Sequence, residues 1–158
     1  ISASGKTPFV LAAVEYASKQ GAATIGLACN YSSLLTDCVD VGILISVGAE
    51  VLADSTRLKA GTAQKMVLNM FSTATMVLMG KVYQNRMVDL QVNNKKLLKR
   101  ALEMVTDLGE ISSETAYKLL TESGNHVKTA VVMAKLDINA KEAKQRLRTV
   151  DGKLNEII

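Results

Sequence analysis

The N-terminal residues Ser2, Ser4, Gly5 and Thr7 carry the groups expected of an anion site. They belong to the run S-A-S-G-K-T at positions 2–7, which is followed by Pro8, a residue suited to the first position of a helix. Hydroxyl groups and backbone N–H groups at the start of a helix together bind phosphate. The alternative is that the hydroxyl groups only cap the helix.

The triplet Gly5-Lys6-Thr7 also matches the end of a nucleotide-binding P-loop. The first glycine of that pattern would fall before Ile1, and Pro8 follows Thr7 directly. Neither predicted strand ends in an acidic residue that would help to hold magnesium. A nucleotide-binding domain is therefore the weakest of our functional hypotheses.

A second group of polar residues surrounds the start of a predicted long helix. Ser55 or Thr56 is predicted to cap this helix, and Lys59 and Thr62 lie in its first turns. Cations are unfavourable at a helix N-terminus unless an anion is held there, so we expect this segment to close a phosphate-bearing small-molecule site. Glu50 follows a predicted strand and is a candidate for contacting a sugar hydroxyl or for acid–base chemistry. The alternative for Glu50 is that it caps a helix or pairs with an arginine.

The remaining reactive side chains form no recognisable site. His126, the only histidine, precedes a predicted helix without an acidic or cysteine partner nearby, which favours a surface or capping role. Cys29 and Cys38 match no zinc spacing and are too few for a disulfide scaffold, so we expect free thiols in a reducing compartment. No metal site is predicted.

Composition restricts the class of partner. The net charge is +4, but there is no tryptophan, only four tyrosines and two phenylalanines, and no nucleic-acid-binding module. An anionic metabolite suits this excess of positive charge better than nucleic acid. No apolar run approaches the roughly 20 residues that span a bilayer, and the first residues do not resemble a signal peptide.

The order of the predicted elements indicates an α/β fold. Residues 1–4 are predicted to end a strand, a helix continues to Gln20, and residues 24–30 and 39–47 are apolar runs without alternation. Such runs are typical of parallel strands buried on both faces. A long buried helix is predicted over residues 56–80 and amphipathic helices follow it. We therefore predict part of a parallel sheet flanked by helices within residues 1–92. A helical region follows over residues 93–158, with a small three-helix bundle at 112–158.

Two strands make an incomplete sheet, because they leave an open apolar edge. We expect the preceding strands to be missing from this chain or to be supplied by another copy.

Several segments resemble one family along essentially the whole chain. Residues 1–10, I-S-A-S-G-K-T-P-F-V, resemble the second phosphosugar loop of the sugar isomerase (SIS) fold. Residues 47–73 resemble a signature shared by N-acetylmuramic acid 6-phosphate etherases and the glucokinase regulatory protein. Residues 80–83, 87–89 and 94–97 and the helical tail, including 128–130 and 142–144, continue the pattern of the bacterial etherases.

This resemblance implies a cytoplasmic carbon–oxygen lyase of peptidoglycan recycling and amino sugar metabolism. Such an enzyme cleaves the D-lactyl ether of N-acetylmuramic acid 6-phosphate and yields N-acetylglucosamine 6-phosphate and D-lactate. The implied mechanism is elimination: a carboxylate removes the proton next to the open-chain aldehyde, lactate leaves, and water adds back. The resemblance also implies a homodimer that needs no metal or organic cofactor.

The resemblance assigns roles by position. Ser2, Ser4, Gly5 and Thr7 would face the sugar phosphate, and Glu50, Ser55, Lys59 and Thr62 are further candidates for binding the sugar. The two catalytic glutamates of the family lie before the Ser-Gly loop, outside this sequence, so we expect no etherase activity from this chain alone. The alternative function is a non-catalytic phosphosugar-binding regulator similar to the glucokinase regulatory protein.

Overall fold

The structure is a computed structural model that describes all residues from 1 to 158, and it has a mixed α/β fold. This confirms the predicted fold class. The strands are β1 (Ile25–Ala28), β2 (Val41–Leu44), β3 (Val82–Tyr83) and β4 (Arg86–Met87). The helices are α1 (Pro8–Lys19), α2 (Leu34–Asp37), α3 (Lys59–Leu78), α4 (Lys95–Gly109), α5 (Ser113–Glu122), α6 (Val127–Leu136) and α7 (Ala140–Thr149), followed by a 3₁₀ turn at Leu154–Glu156.

Strands β1 and β2 pair in parallel, with Ile25 opposite Val41 and Ala28 opposite Leu44. Both strands are shorter than the apolar runs that predicted them. β1 is buried after its first residue, as expected, but β2 is mostly exposed, so the prediction of a second buried strand is wrong for this chain. Strand β2 is exposed because it forms an edge of the sheet and nothing in the chain covers its outer side.

The N-terminal residues run beside the other edge of β1. The N–H group of Ser2 donates to the carbonyl of Leu27 at 3.0 Å, and the N–H group of Cys29 donates to the carbonyl of Ala3 at 2.9 Å. Residues 1–4 are not a regular strand, yet these two bonds place them next to β1 as the predicted strand end requires. The loop at residues 2–7, which the sequence predicts to bind phosphate, therefore begins beside the carboxyl end of β1.

Helix α3 differs most from its prediction. It covers Lys59–Leu78 rather than residues 56–80, and Ala60 is its only buried residue. Met66, Met70 and Leu78 are 60%, 67% and 78% exposed. The apolar character of this helix predicts burial on all sides, but a sheet of two strands offers too little surface to cover it.

A short hairpin of β3 and β4 follows α3 and was not predicted, because two-residue strands are too short to show alternation. The turn between them contains Gln84 in the left-handed region, at φ +52°. None of the helices is both long and apolar enough to cross a membrane.

The chain divides into two compact units, Ile1–Ser72 and Thr73–Ile158, with the division inside α3. The second unit holds the larger hydrophobic core, which includes Val105, Leu120 and Val131. Its helices pack as α4 against α5 and α6, and α6 against α7. The predicted domain limits at residue 92 and at residues 112–158 stay predictions.

Candidate functional site

A cavity of about 650 Å³ opens in the first unit where the two parallel strands end. We call it the sheet-end cavity. In open α/β sheets, the carboxyl ends of the strands are where ligands bind. The cavity is lined by residues 3–4, 29–31, 46–50, 53–54, 56 and 60.

The N-terminal loop forms one wall of this cavity through Ala3 and Ser4. Within the loop the Ser2 hydroxyl accepts from the N–H group of Gly5 at 3.1 Å and lies 2.8 Å from the Thr7 hydroxyl. The Ser4 hydroxyl accepts from the N–H group of Lys6 at 3.3 Å. The hydroxyl groups are therefore gathered in one tight turn, as the sequence predicted.

Gly5 allows this turn to form. Its φ is +68°, and a Cβ atom added there would lie 2.1 Å from the Ser33 hydroxyl oxygen. Its carbonyl accepts from the N–H group of Leu35 at 2.9 Å, which ties the loop to α2. Only glycine combines this conformation with so close a neighbour.

Helix α1 begins directly after the loop, with Thr7 at its N-cap position and Pro8 at the first helical position. The Thr7 side chain makes no capping hydrogen bond. The alternative that the hydroxyl groups cap the helix therefore fails for Thr7, whose hydroxyl group contacts Ser2 instead. The first turn of a twelve-residue helix thus keeps its positive end beside the loop, which suits a phosphate group.

Glu50 also lines the cavity and caps α3. Its two carboxylate oxygens accept from the N–H groups of Lys59, at 3.0 Å, and of Ala60, at 2.9 Å. The hydrogen bond from Ala60 is the main cause that lowers the pKa of the Glu50 carboxyl group, with the Lys59 N–H and ammonium groups as further causes. The expectation that Ser55 or Thr56 caps this helix is wrong, because the carboxylate of Glu50 takes both N–H groups.

The other predicted residues of this segment do not line the cavity. Lys59 and Thr62 line a different groove, of about 510 Å³, along the start of α3. The Thr62 hydroxyl donates to the carbonyl of Leu58 at 3.0 Å, and the Ser55 carbonyl accepts from the N–H group of Leu58 at 3.2 Å. Ser55 lines neither space. The roles predicted for these three residues in binding sugar stay predictions.

The ammonium group of Lys59 nevertheless lies close to the cavity rim. A Cβ atom added to Gly48, which lines the cavity, would be 3.7 Å from that nitrogen. A positive charge at this distance favours an anionic ligand in the cavity.

Sequence reasoning missed the residues that follow the two strands. Cys29, Asn30 and Tyr31 come after β1, and Ser46 and Gly48 come after β2, and all five line the cavity. They lie at or directly after the ends of the predicted strand runs 24–30 and 39–47, and this position was the signal that could have identified them. Burial raises the pKa of the Cys29 thiol, so this group stays protonated near neutral pH and is a poor nucleophile.

The structure contains no group of three or more histidine, cysteine, aspartate or glutamate side chains placed to hold a metal ion. His126 is exposed at the N-cap position of α6, and its side chain makes no capping hydrogen bond. Cys29 and Cys38 are both free thiols.

Comparison with known proteins places the chain beside one group of enzymes. It is 46% identical over all 158 residues to N-acetylmuramic acid 6-phosphate etherase 1 of Bacillus licheniformis and covers 52% of that protein. It is 46% identical over all its residues to the etherase of Bacillus subtilis, again covering 52%. The etherase of Geobacillus thermodenitrificans is 49% identical over 152 residues, or 96% of this chain and 52% of that enzyme.

The chain thus spans about half the length of the curated relatives it matches. Residues 84–126 also match a family described as the C-terminal lid domain of glucokinase regulatory protein. Both findings confirm the resemblance that was stated from the sequence.

Proposed function

Since the whole of this chain is homologous to about half the length of N-acetylmuramic acid 6-phosphate etherases, we propose that it forms part of such a lyase. The reaction would cleave the D-lactyl ether of N-acetylmuramic acid 6-phosphate and release N-acetylglucosamine 6-phosphate and D-lactate. The observation that carries the proposal is 45–49% identity over all or nearly all of the chain to enzymes of that name.

The phosphate group of the substrate would bind at the N-terminal loop. Support comes from the Ser4 hydroxyl group at the cavity wall and from the uncapped first turn of α1 beside it. The hydroxyl group supplies a hydrogen-bond donor to a dianion, and the positive end of the helix favours its negative charge. The sugar ring would then lie over the ends of β1 and β2, against residues 46–50.

The acid and base of the elimination are assigned to no residue of this chain. Glu50 lines the sheet-end cavity, but both of its oxygens already accept backbone hydrogen bonds. The proton next to the aldehyde would be removed by a carboxylate from the rest of the longer enzyme. We further propose that this enzyme is a cytoplasmic homodimer and uses no metal or organic cofactor.

A non-catalytic phosphosugar-binding regulator is the second candidate. The observation in its favour is the match of residues 84–126 to a lid domain of glucokinase regulatory protein. Such a protein would use the same phosphate loop without the elimination.

Release of D-lactate distinguishes the two functions. The longer protein that contains this chain is incubated with N-acetylmuramic acid 6-phosphate, and lactate is measured with a D-lactate dehydrogenase. We expect stoichiometric release by the longer protein and none by the 158-residue chain. Binding of N-acetylglucosamine 6-phosphate without any lactate release would refute the lyase and support the regulator.

A further inference from the structure

We propose that Glu50 is a positioning residue, which holds one wall of the sheet-end cavity in place by fastening it to the start of α3. The inference rests on the proposed function, because it concerns the same cavity. It changes the role of Glu50 from a candidate for sugar binding or acid–base chemistry to a support for the residues around it.

The geometry of the carboxylate supports this role. Each oxygen accepts one backbone N–H group, from Lys59 at 3.0 Å and from Ala60 at 2.9 Å. The first N–H groups of a helix have no partner within the helix, and a negative charge is favourable there. Both oxygens are therefore already engaged in the arrangement that stabilises α3.

The loop whose two ends are joined by these hydrogen bonds lines part of the sheet-end cavity. Residues 51–58 connect Glu50 to Lys59, and Ala53, Asp54 and Thr56 among them line the cavity. Fixing the two ends of this loop restricts the positions that those three residues can take.

The first half of the loop has little else to hold it. The side chains of Val51 and Leu52 are 88% and 56% exposed, so burial of apolar surface contributes little. The second half is tied directly to α3, because the carbonyls of Thr56 and Leu58 accept from N–H groups of that helix, at 2.9 and 3.0 Å. The backbone hydrogen bond from Ser55 to Leu52 is local, so the two bonds of Glu50 are what joins the start of the loop to the twenty-residue helix.

The ionisation of the Glu50 carboxyl group is more consistent with a positioning role than with proton transfer. The backbone hydrogen bonds lower the pKa of Glu50, which keeps the group ionised and makes it a weak base near neutral pH. Protonation of a carboxylate that accepts two N–H groups would weaken those hydrogen bonds, which makes proton uptake from a substrate less favourable.

The test compares Glu50→Gln and Glu50→Asp in the longer protein with Glu15→Gln as the matched control. Glu15 is an exposed glutamate of α1 that pairs with Lys19 and lines none of the described cavities. Hydrogen exchange of the Lys59 and Ala60 amides, affinity for N-acetylglucosamine 6-phosphate, and the pH dependence of kcat/KM for lactate release are measured.

For Glu50→Gln we expect about tenfold faster exchange of the two amides and about tenfold weaker phosphosugar binding, because the amide side chain can accept only one of the two bonds. The pH profile keeps both limbs. Glu50→Asp keeps the charge and recovers part of the loss, and Glu15→Gln changes nothing.

Two outcomes would overturn the inference. One is unchanged exchange of the Lys59 and Ala60 amides in Glu50→Gln. The other is loss of a limb of the pH profile with kcat reduced about a hundredfold, which would make Glu50 an acid or base. If the wild-type protein releases no lactate, the proposed lyase function fails, while exchange and phosphosugar binding still decide the role of Glu50.

Discussion

The hydroxyl oxygens of Ser2 and Thr7 lie 2.8 Å apart, so a hydrogen bond joins the two ends of the N-terminal loop. Ser2 is only 6% exposed and also accepts from the N–H group of Gly5. Ser4, in contrast, is exposed and lines the sheet-end cavity. The two serines of this loop therefore have different tasks: Ser2 shapes the loop and Ser4 faces the space where a ligand would bind.

Substitution should separate these tasks. Ser4→Ala should weaken the binding of N-acetylglucosamine 6-phosphate by the longer protein about tenfold with unchanged stability, since it removes one donor to a charged group. Ser2→Ala should lower the free energy of unfolding by about 1–2 kcal/mol, because it removes the hydrogen bonds of the Ser2 hydroxyl group with Gly5 and Thr7. Titration calorimetry and urea denaturation measure the two effects. If both variants weakened binding equally and neither changed the stability, the two serines would not have different roles.

Gly5 should tolerate no side chain. Gly5→Ala should cost about 3 kcal/mol of stability, because the new Cβ atom would collide with Ser33 as well as adopt a positive φ. Gly21→Ala is the matched control: its φ is +75°, but nothing lies within 4 Å of the added atom. We expect it to cost only about 1 kcal/mol. A similar loss of stability in both variants, by chemical denaturation, would show that the contact with Ser33 is unimportant.

Asp40 should make stability depend on pH. Its carboxylate accepts from the hydroxyl group of Thr24, at 2.8 Å, and from the N–H group of Thr24, at 2.7 Å. Both bonds lower the pKa of Asp40, and the bond from the hydroxyl group is the larger cause. The folded pKa of Asp40 therefore lies below its unfolded value of about 4. Its contribution to the free energy of unfolding is present above the unfolded pKa and is lost as the pH falls through the folded pKa.

The difference in unfolding free energy between the wild type and Asp40→Asn should therefore be largest near neutral pH and shrink below pH of about 4. Asp37→Asn, at the end of α2, serves as the control. Chemical denaturation across this pH range is the measurement. A difference that stays constant down to pH of about 2 would mean that the ionised form of Asp40 does not stabilise the fold.

Two leucines test where the core lies. Leu120 is 1% exposed in the core of the second unit, whereas Leu78 is 78% exposed at the end of α3. Leu120→Ala should cost about 2–5 kcal/mol, and Leu78→Ala should stay within about 0.5 kcal/mol, when the 158-residue chain is denatured. A large cost for Leu78→Ala would restore the prediction that α3 is buried within this chain.

Local chemistry made much of the fold readable from the sequence. Pro8 marks the start of α1, and helices α4 to α7 lie within the region 93–158 that was predicted to be helical, because capping residues and helical periodicity act over a few neighbours. The hydroxyl-rich turn at residues 2–7 was recognisable for the same reason. The α/β class followed from a helix that precedes two apolar runs, which a polar loop separates.

Tertiary structure decided which of these groups meet. The partner of the α3 N-terminus is Glu50, nine residues before Lys59, and no local rule distinguished it from Ser55 or Thr56. The exposure of Met66 and Met70 depends on how many strands lie beside the helix, which a helical pattern does not record. Likewise, Cys29 and Gly48 share one cavity only because two parallel strands end at the same edge. Residue type and spacing specify the pieces of a site, whereas strand pairing and packing determine which pieces come within hydrogen-bond distance.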